Sequence, residues 1–202
     1  YRKTIKGVAY LRKHGMEFAI TSVSNRKNIK EMEDILKLGI ALGAKEMQVI
    51  RFMPGGAGMD QTELMLTDEE YRKLLKVMDR ISVKFGVFCA MGAPNVPCRF
   101  PEKGFKKLEF GACSAGIDWF VIDPSGRMRI CNHSPTILGD LKTISFEEIW
   151  DHPILKAFRN LEVIPDECEG CEKRTSCRGG CRAVAETLYG SLYARDPLME
   201  AR

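Results

Sequence analysis

Several protein classes are excluded by what this sequence lacks. No apolar run approaches the roughly 18 residues that a membrane span requires. No charged-then-apolar leader opens the chain, which starts at Tyr1 in the stretch YRKTIKGVAYLRKHG. Charge of either sign is not in excess: 31 Lys and Arg stand against 27 Asp and Glu, a net charge of +4. That is too mild for a nucleic-acid or polyanion binder. There is no tandem repeat and no low-complexity tract. Histidines number three, yet cysteines number eight. Nothing marks an oxidising compartment, so the cysteines read as metal ligands rather than disulfides, and a cytoplasmic location is expected.

The first 90 residues alternate two periodicities. Ile5, Val8, Ala9 and Leu11 give a helix over residues 2–13, ended by Gly15. Phe18–Val23 reads as a strand. Met32, Ile35, Leu36, Leu38 and Ile40 place a second helix from Asn28 to Leu42, with Gly43 as its stop. Met47–Phe52 is the next strand, and Pro54-Gly-Gly breaks it. Thr67-Asp-Glu-Glu70 is a capping-box pattern opening a helix through Val83. Phe85–Cys89 is a further candidate strand, weakened by Gly86. Helix, strand, helix, strand, helix with short links is the alternation of a parallel α/β sheet or barrel. Ligands of such folds gather at the C-terminal strand ends.

The texture changes near residue 90. Residues 91–112 are rich in Gly, Pro and Lys and read as a linker. Trp119–Ile130 reads as a hairpin turned by Asp123-Pro-Ser-Gly126, with Gly126 at a positive-φ position. Ser145–Asn160 holds one or two short helices interrupted by Pro153, and a helix after Cys181 runs to Tyr189 and stops at Gly190.

The chemistry lies in the cysteines. Cys168, Cys171, Cys177 and Cys181 form C-x2-C-x5-C-x3-C. Such crowding lets several thiolates converge on one centre. Cys113 and Cys131 flank the hairpin, which brings its ends together. Cys98 precedes it, and Cys89 sits in an apolar stretch, where a small buried side chain is the expected role. Structural zinc and disulfides compete with iron–sulfur here. Paired zinc knuckles usually stand a dozen or more residues apart. The inner gap of five favours iron–sulfur.

The pattern Cys113-x12-Gly126-x4-Cys131, followed by C-x2-C-x5-C-x3-C, resembles the SPASM domain of radical S-adenosylmethionine enzymes. Asp123–Cys131, Gly139-Asp-Leu, Ile149-Trp150 and Cys177-Arg-Gly-Gly-Cys-Arg182 agree with it. The resemblance covers residues 110–200. It implies an α/β fold: the rear part of a partial (β/α)6 TIM-like barrel over residues 1–90, then a small α+β iron–sulfur domain with a β-hairpin over residues 113–202. It also implies two auxiliary [4Fe–4S] clusters. Cys113, Cys131 and Cys181 serve the first in the family's wiring, with Cys98 as a fourth ligand. Cys168, Cys171 and Cys177 serve the second, which a later cysteine completes. No cysteine follows Cys181, so the chain is expected to be cut short before it; Asp196 is the alternative oxygen ligand.

The family's catalytic C-x3-C-x2-C loop is absent from these residues. The expectation is therefore a fragment, inactive alone, of an oxidoreductase or maturase. The parent enzyme would cleave S-adenosylmethionine reductively to a 5′-deoxyadenosyl radical. Its substrate would be a peptide, a protein or a tetrapyrrole haem precursor, and its electron donor a ferredoxin or flavodoxin. Asn132 stands where sulfatase maturases of the family carry Asp, so formylglycine formation is not expected. Thr21 and Arg51, at strand ends, are the candidate S-adenosylmethionine contacts; ordinary strand-end hydrogen bonding is the alternative for each. His133 is a candidate ligand or a solvated loop residue. The competing function is a stand-alone electron-transfer module, or a zinc-binding structural one, without radical chemistry.

Overall fold

The computed structural model describes residues 1–200. Its first layer is a four-stranded, fully parallel sheet in sequential order. The strands are β1 (Ala19–Ser24), β2 (Glu46–Arg51), β3 (Phe88–Met91) and β4 (Leu108–Phe110). Sequential parallel order is what one wall of a β/α barrel has. The helices are α1 (Arg2–Lys13), α2 (Met32–Ala41) and α3 (Asp68–Phe85).

α3 begins where the capping box placed it. Thr67 Oγ1 accepts from the Glu70 backbone N–H at 3.2 Å, and Glu70 Oε2 accepts from the Thr67 N–H at 2.9 Å. Tyr71, Leu74, Leu75, Met78 and Ile81 form its buried stripe. They pack with Met32 and Leu36 of α2 and Met47 and Val49 of β2. Each such burial contributes about 1.5–3 kcal/mol. α3 ends at Gly86 in the left-handed conformation (φ +68°). This corrects the strand expected at Phe85–Cys89: Phe85 is helical, and β3 starts only after the glycine has reversed the chain.

Residues 91–112, expected as a linker, carry ordered structure. β4 lies here and pairs with β3, Cys89 opposite Leu108 and Met91 opposite Phe110. Ala93, Val96 and Phe100 are buried.

The second layer is a three-stranded antiparallel sheet of β5 (Val121–Ile122), β6 (Arg127–Arg129) and β7 (Ile137–Asp140). β5 and β6 are the expected hairpin, with Gly126 at φ +90°. β7 is an added third strand. α4 (Phe146–Trp150) and α5 (Pro153–Arg159) cover the sheet, with Pro153 in the first turn of α5. Met128, Ile130, Leu138, Ile149 and Leu155 make the core. α6 (Arg174–Cys177) and α7 (Arg182–Tyr189) complete the domain. Among the described residues no helix is long and apolar enough to cross a membrane.

Candidate metal centre

All eight cysteines are free thiols. Cys89 is fully buried in the first core. Six of the other seven fall into two sets.

The first set is Cys113, Cys131 and Cys181. Cys113 and Cys131 flank the hairpin sheet, and Cys181 precedes α7. Burial pushes the Cys113 thiol up, and Cys131 adds to this. Cys181 is pushed up to about 12 by burial, with Cys113 and Asp196 adding to it and Arg51 opposing. Cys181 is buried, while Cys113 and Cys131 are partly exposed.

The second set is Cys168, Cys171 and Cys177; Cys98, expected beside the first set, lies close enough to act on Cys168 and Cys177. The Cys171 N–H donates to the Cys168 carbonyl at 3.2 Å, folding the C-x2-C into a turn. Burial raises Cys168, while Arg182 opposes and Cys171 and Cys98 add to it. Burial also raises Cys177, and the backbone N–H groups of Gly180 and Gly179 lower it. The cause is local. Arg178, Gly179 and Gly180 are three successive left-handed residues (φ 55°, 73° and 79°). Such a run turns consecutive N–H groups into a concavity that suits an anion.

Two buried guanidinium groups border these thiols. Alternation along β2 buries Met47, Val49 and Arg51 on one face. Arg51 is thereby carried into the interior, where Nη2 donates to Asp196 Oδ2 at 2.7 Å. The same oxygen accepts from the Cys181 N–H at 2.5 Å, and Oδ1 accepts from the Leu198 N–H at 2.8 Å. Asp196 is therefore engaged beside the first set, and the structure does not offer it as an oxygen ligand to the second. Burial works against the Arg51 charge, yet Asp196 and Cys181 hold its pKa above the ordinary value.

Arg182 is 1% exposed. It donates to the carbonyls of Leu192 (3.2 Å), Ala194 (2.6 Å) and Gly179. Burial lowers its pKa, and Asp196, Cys181, Cys168 and Cys113 oppose that. It thus feels thiols of both sets. Sequence reasoning missed it, although a charged side chain amid Ala183-Val184-Ala185 is a visible anomaly.

Thr21 lies within β1, exposed, with its hydroxyl donating to Gln48 Oε1 at 3.2 Å. His133 abuts the Pro54-Gly-Gly turn: a Cβ on Gly55 would meet its Nδ1 at 2.9 Å. Burial and Arg51 lower its pKa.

The residues fit an iron–sulfur group. The donors are soft thiols in groups of three. Nε and Nη1 of Arg51 and Nε of Arg182 are buried with no hydrogen-bond partner among the described residues. Buried, orphaned cationic donors call for an anionic acceptor. Among the described residues no three His, Cys, Asp or Glu groups converge as they would on a single ion.

The chain thus joins a parallel α/β wall to a small thiol-rich sheet domain. Residues 113–172 match the SPASM family, an iron-sulfur cluster-binding domain. That match stops before Cys177 and Cys181. The chain is 28% identical over 216 residues to the AdoMet-dependent heme synthase of Oleidesulfovibrio alaskensis, covering 98% of this chain and 54% of that protein. It is 26% identical over 195 residues to the PqqA peptide cyclase of Methylobacterium nodulans, covering 91% and 48%. The crystal structure of Streptococcus suis SuiB matches with a TM-score of 0.70 at 18% identity, over 98% of this chain and 49% of that one. Native anSMEcpe with bound AdoMet matches at 0.65 and 17%, over 96% and 55%. Residues 113–172 thus match a SPASM domain, and the chain is similar along nearly all its length to radical SAM/SPASM enzymes. It spans about half the length of the curated relatives it matches.

Proposed function

We propose that the chain is the cluster-holding part of a radical SAM/SPASM maturase that modifies a peptide, a protein or a haem precursor. What carries this reading is the grouping of thiols about buried Arg182, which acts on Cys113, Cys168 and Cys181. The relatives include enzymes named for a peptide and for haem, and both substrate classes rest on them. When bound, auxiliary [4Fe–4S] clusters supply one-electron transfer beside the substrate.

The chain's own residues do the rest. Cys113, Cys131 and Cys181 hold the first cluster, and Cys168, Cys171 and Cys177 supply three thiolates to the second. Arg51, fixed by Asp196, and Arg182 offset negative charge from buried positions beside the thiols. Thr21, at the exposed face of β1, stays a proposed contact for S-adenosylmethionine. Arg51 contributes through Asp196 and the first set instead, because its side chain is buried. Parent activity would require one-electron reductive cleavage of S-adenosylmethionine, the electron coming from an external donor of the ferredoxin or flavodoxin type.

The test is iron, sulfide and zinc content of the full chain after anaerobic reconstitution, with its visible spectrum. About seven to eight irons with matching sulfide are expected for two cubane clusters. Zinc without sulfide would leave a structural metal domain and end the radical-enzyme reading.

A further inference from the structure

Cys98 lies in the stretch between β3 and β4, 70 residues before Cys168 in sequence, and its neighbours are set by an unusually well-anchored turn. The N–H groups of Arg99 and Phe100 both donate to the Val96 carbonyl at 3.0 Å. Asn95, 2% exposed, holds the turn from inside. Its Nδ2 donates to the Phe100 carbonyl and to Glu102 Oε1, each at 3.0 Å, and its Oδ1 accepts from the Tyr71 hydroxyl at 3.4 Å. So much buried polar bonding around an exposed cysteine fixes where that thiol stands.

The turn rests on the second thiol set. Cys177 Sγ donates to the Asn95 carbonyl at 3.8 Å, and Lys173 Nζ to the Pro97 carbonyl at 3.5 Å. A Cβ on Gly180 would meet Val96 Cγ1 at 2.9 Å. The three residues that precede Cys98 therefore touch the segment that carries Cys177.

We infer that Cys98 is the fourth thiolate of the second site, completing Cys168, Cys171 and Cys177 from the barrel side of the chain. This inference rests on the cluster reading above. It moves Cys98 from the first set, where the resemblance had placed it, and it gives the second site four thiolates between residues 98 and 177. The first site is then left with three cysteines among the described residues.

The experiment compares iron and sulfide in the reconstituted full chain for wild type, Cys98→Ala, Cys171→Ala, Cys113→Ala and two double variants. Cys98→Ala should fall to the level of Cys171→Ala, about half of wild type for one of two sites lost. Cys98→Ala with Cys171→Ala should fall no further, and Cys98→Ala with Cys113→Ala should lose nearly all iron. Mapping of alkylated cysteines by mass gives a second readout. In the loaded protein Cys98 should be protected with Cys171, although both are exposed in the apo chain. Unchanged metal content in Cys98→Ala, or its alkylation while Cys171 stays protected, overturns the assignment. So does a Cys98→Ala, Cys113→Ala double variant that matches Cys113→Ala. These failures leave the cluster reading standing. A wild-type chain that takes up neither iron nor sulfide overturns both. Unchanged apo melting of Cys98→Ala shows that the fold is intact.

Discussion

Arg51 and Asp196 are 145 residues apart in sequence and 2.7 Å apart in space, exposed by 3% and 0%. The pair ties the end of a barrel strand to the segment after α7. It also orients the backbone of Cys181.

Breaking this pair from one side leaves an uncompensated buried charge. Asp196→Ala and Arg51→Ala should each lower stability by about 3–5 kcal/mol. A double replacement by apolar residues of similar volume, Arg51→Met with Asp196→Leu, should cost less than the sum of the singles. Urea unfolding of the apo chain measures this; single variants that unfold at the wild-type midpoint would refute the claimed coupling.

Arg182 divides into a structural and an electrical role. Arg182→Met keeps most of the volume and leaves three carbonyls without their donor, at about 1–3 kcal/mol for each group left unpaired. In reconstituted protein the same variant should move both cluster potentials to more negative values, because the reduced state loses a nearby cation. Arg182→Lys should move them less. Redox titration followed by visible or EPR spectroscopy reads the difference, and equal potentials in all three proteins would remove the electrical role.

The glycines of the Cys177–Cys181 loop are not equivalent to others with positive φ. Gly180→Ala puts a Cβ 2.6 Å from Asp196 Oδ2 and 2.9 Å from Val96. Gly170→Ala, at φ +73°, meets nothing within 4 Å. The second should cost only the left-handed strain of about 1–2 kcal/mol. The first should cost more and reduce iron uptake as well. Thermal melts of the two variants and their metal content after reconstitution decide the matter.

Asp123 supplies a pH signature. Its carboxylate accepts from the Ser125 hydroxyl at 2.5 Å and from the N–H groups of Ser125 and Arg127 at 2.9 and 3.2 Å, and Arg127 Nε donates to it at 3.0 Å. The Ser125 hydroxyl bond, ahead of the backbone bonds, holds its pKa well below the usual carboxylate range. A depressed folded-state pKa contributes stability that is present above the unfolded value of about 3.9 and lost as pH falls through the folded value. Asp123→Asn should thus be less stable than wild type at neutral pH, with the gap closing below about pH 4. A gap that stays constant down to strongly acidic pH contradicts this account.

Local signals were legible in the sequence; long-range ones were not. Thr67 and Glu70 announced α3, and Gly126 announced the hairpin, because both act within four residues. β4 was invisible. Leu108-Glu-Phe110 is only three residues long and gains its strand character from β3, which no local pattern encodes. The cysteine spacing pointed to a SPASM domain whose family match covers residues 113–172. Which thiol stands with which depended on a turn built by Asn95 and Tyr71, and no spacing rule reaches across that separation. Arg51 read as an open strand-end contact, since the sequence does not show that Asp196 returns to meet it.

The two thiol sets are interleaved along the chain. Cys98 belongs to one, Cys113 and Cys131 to the other, Cys168 to Cys177 to the first again, and Cys181 to the second again. The stretch of sequence spanned by each set contains members of the other. Excising either one takes away backbone that the other needs, so neither can be inherited or engineered as a separable cassette.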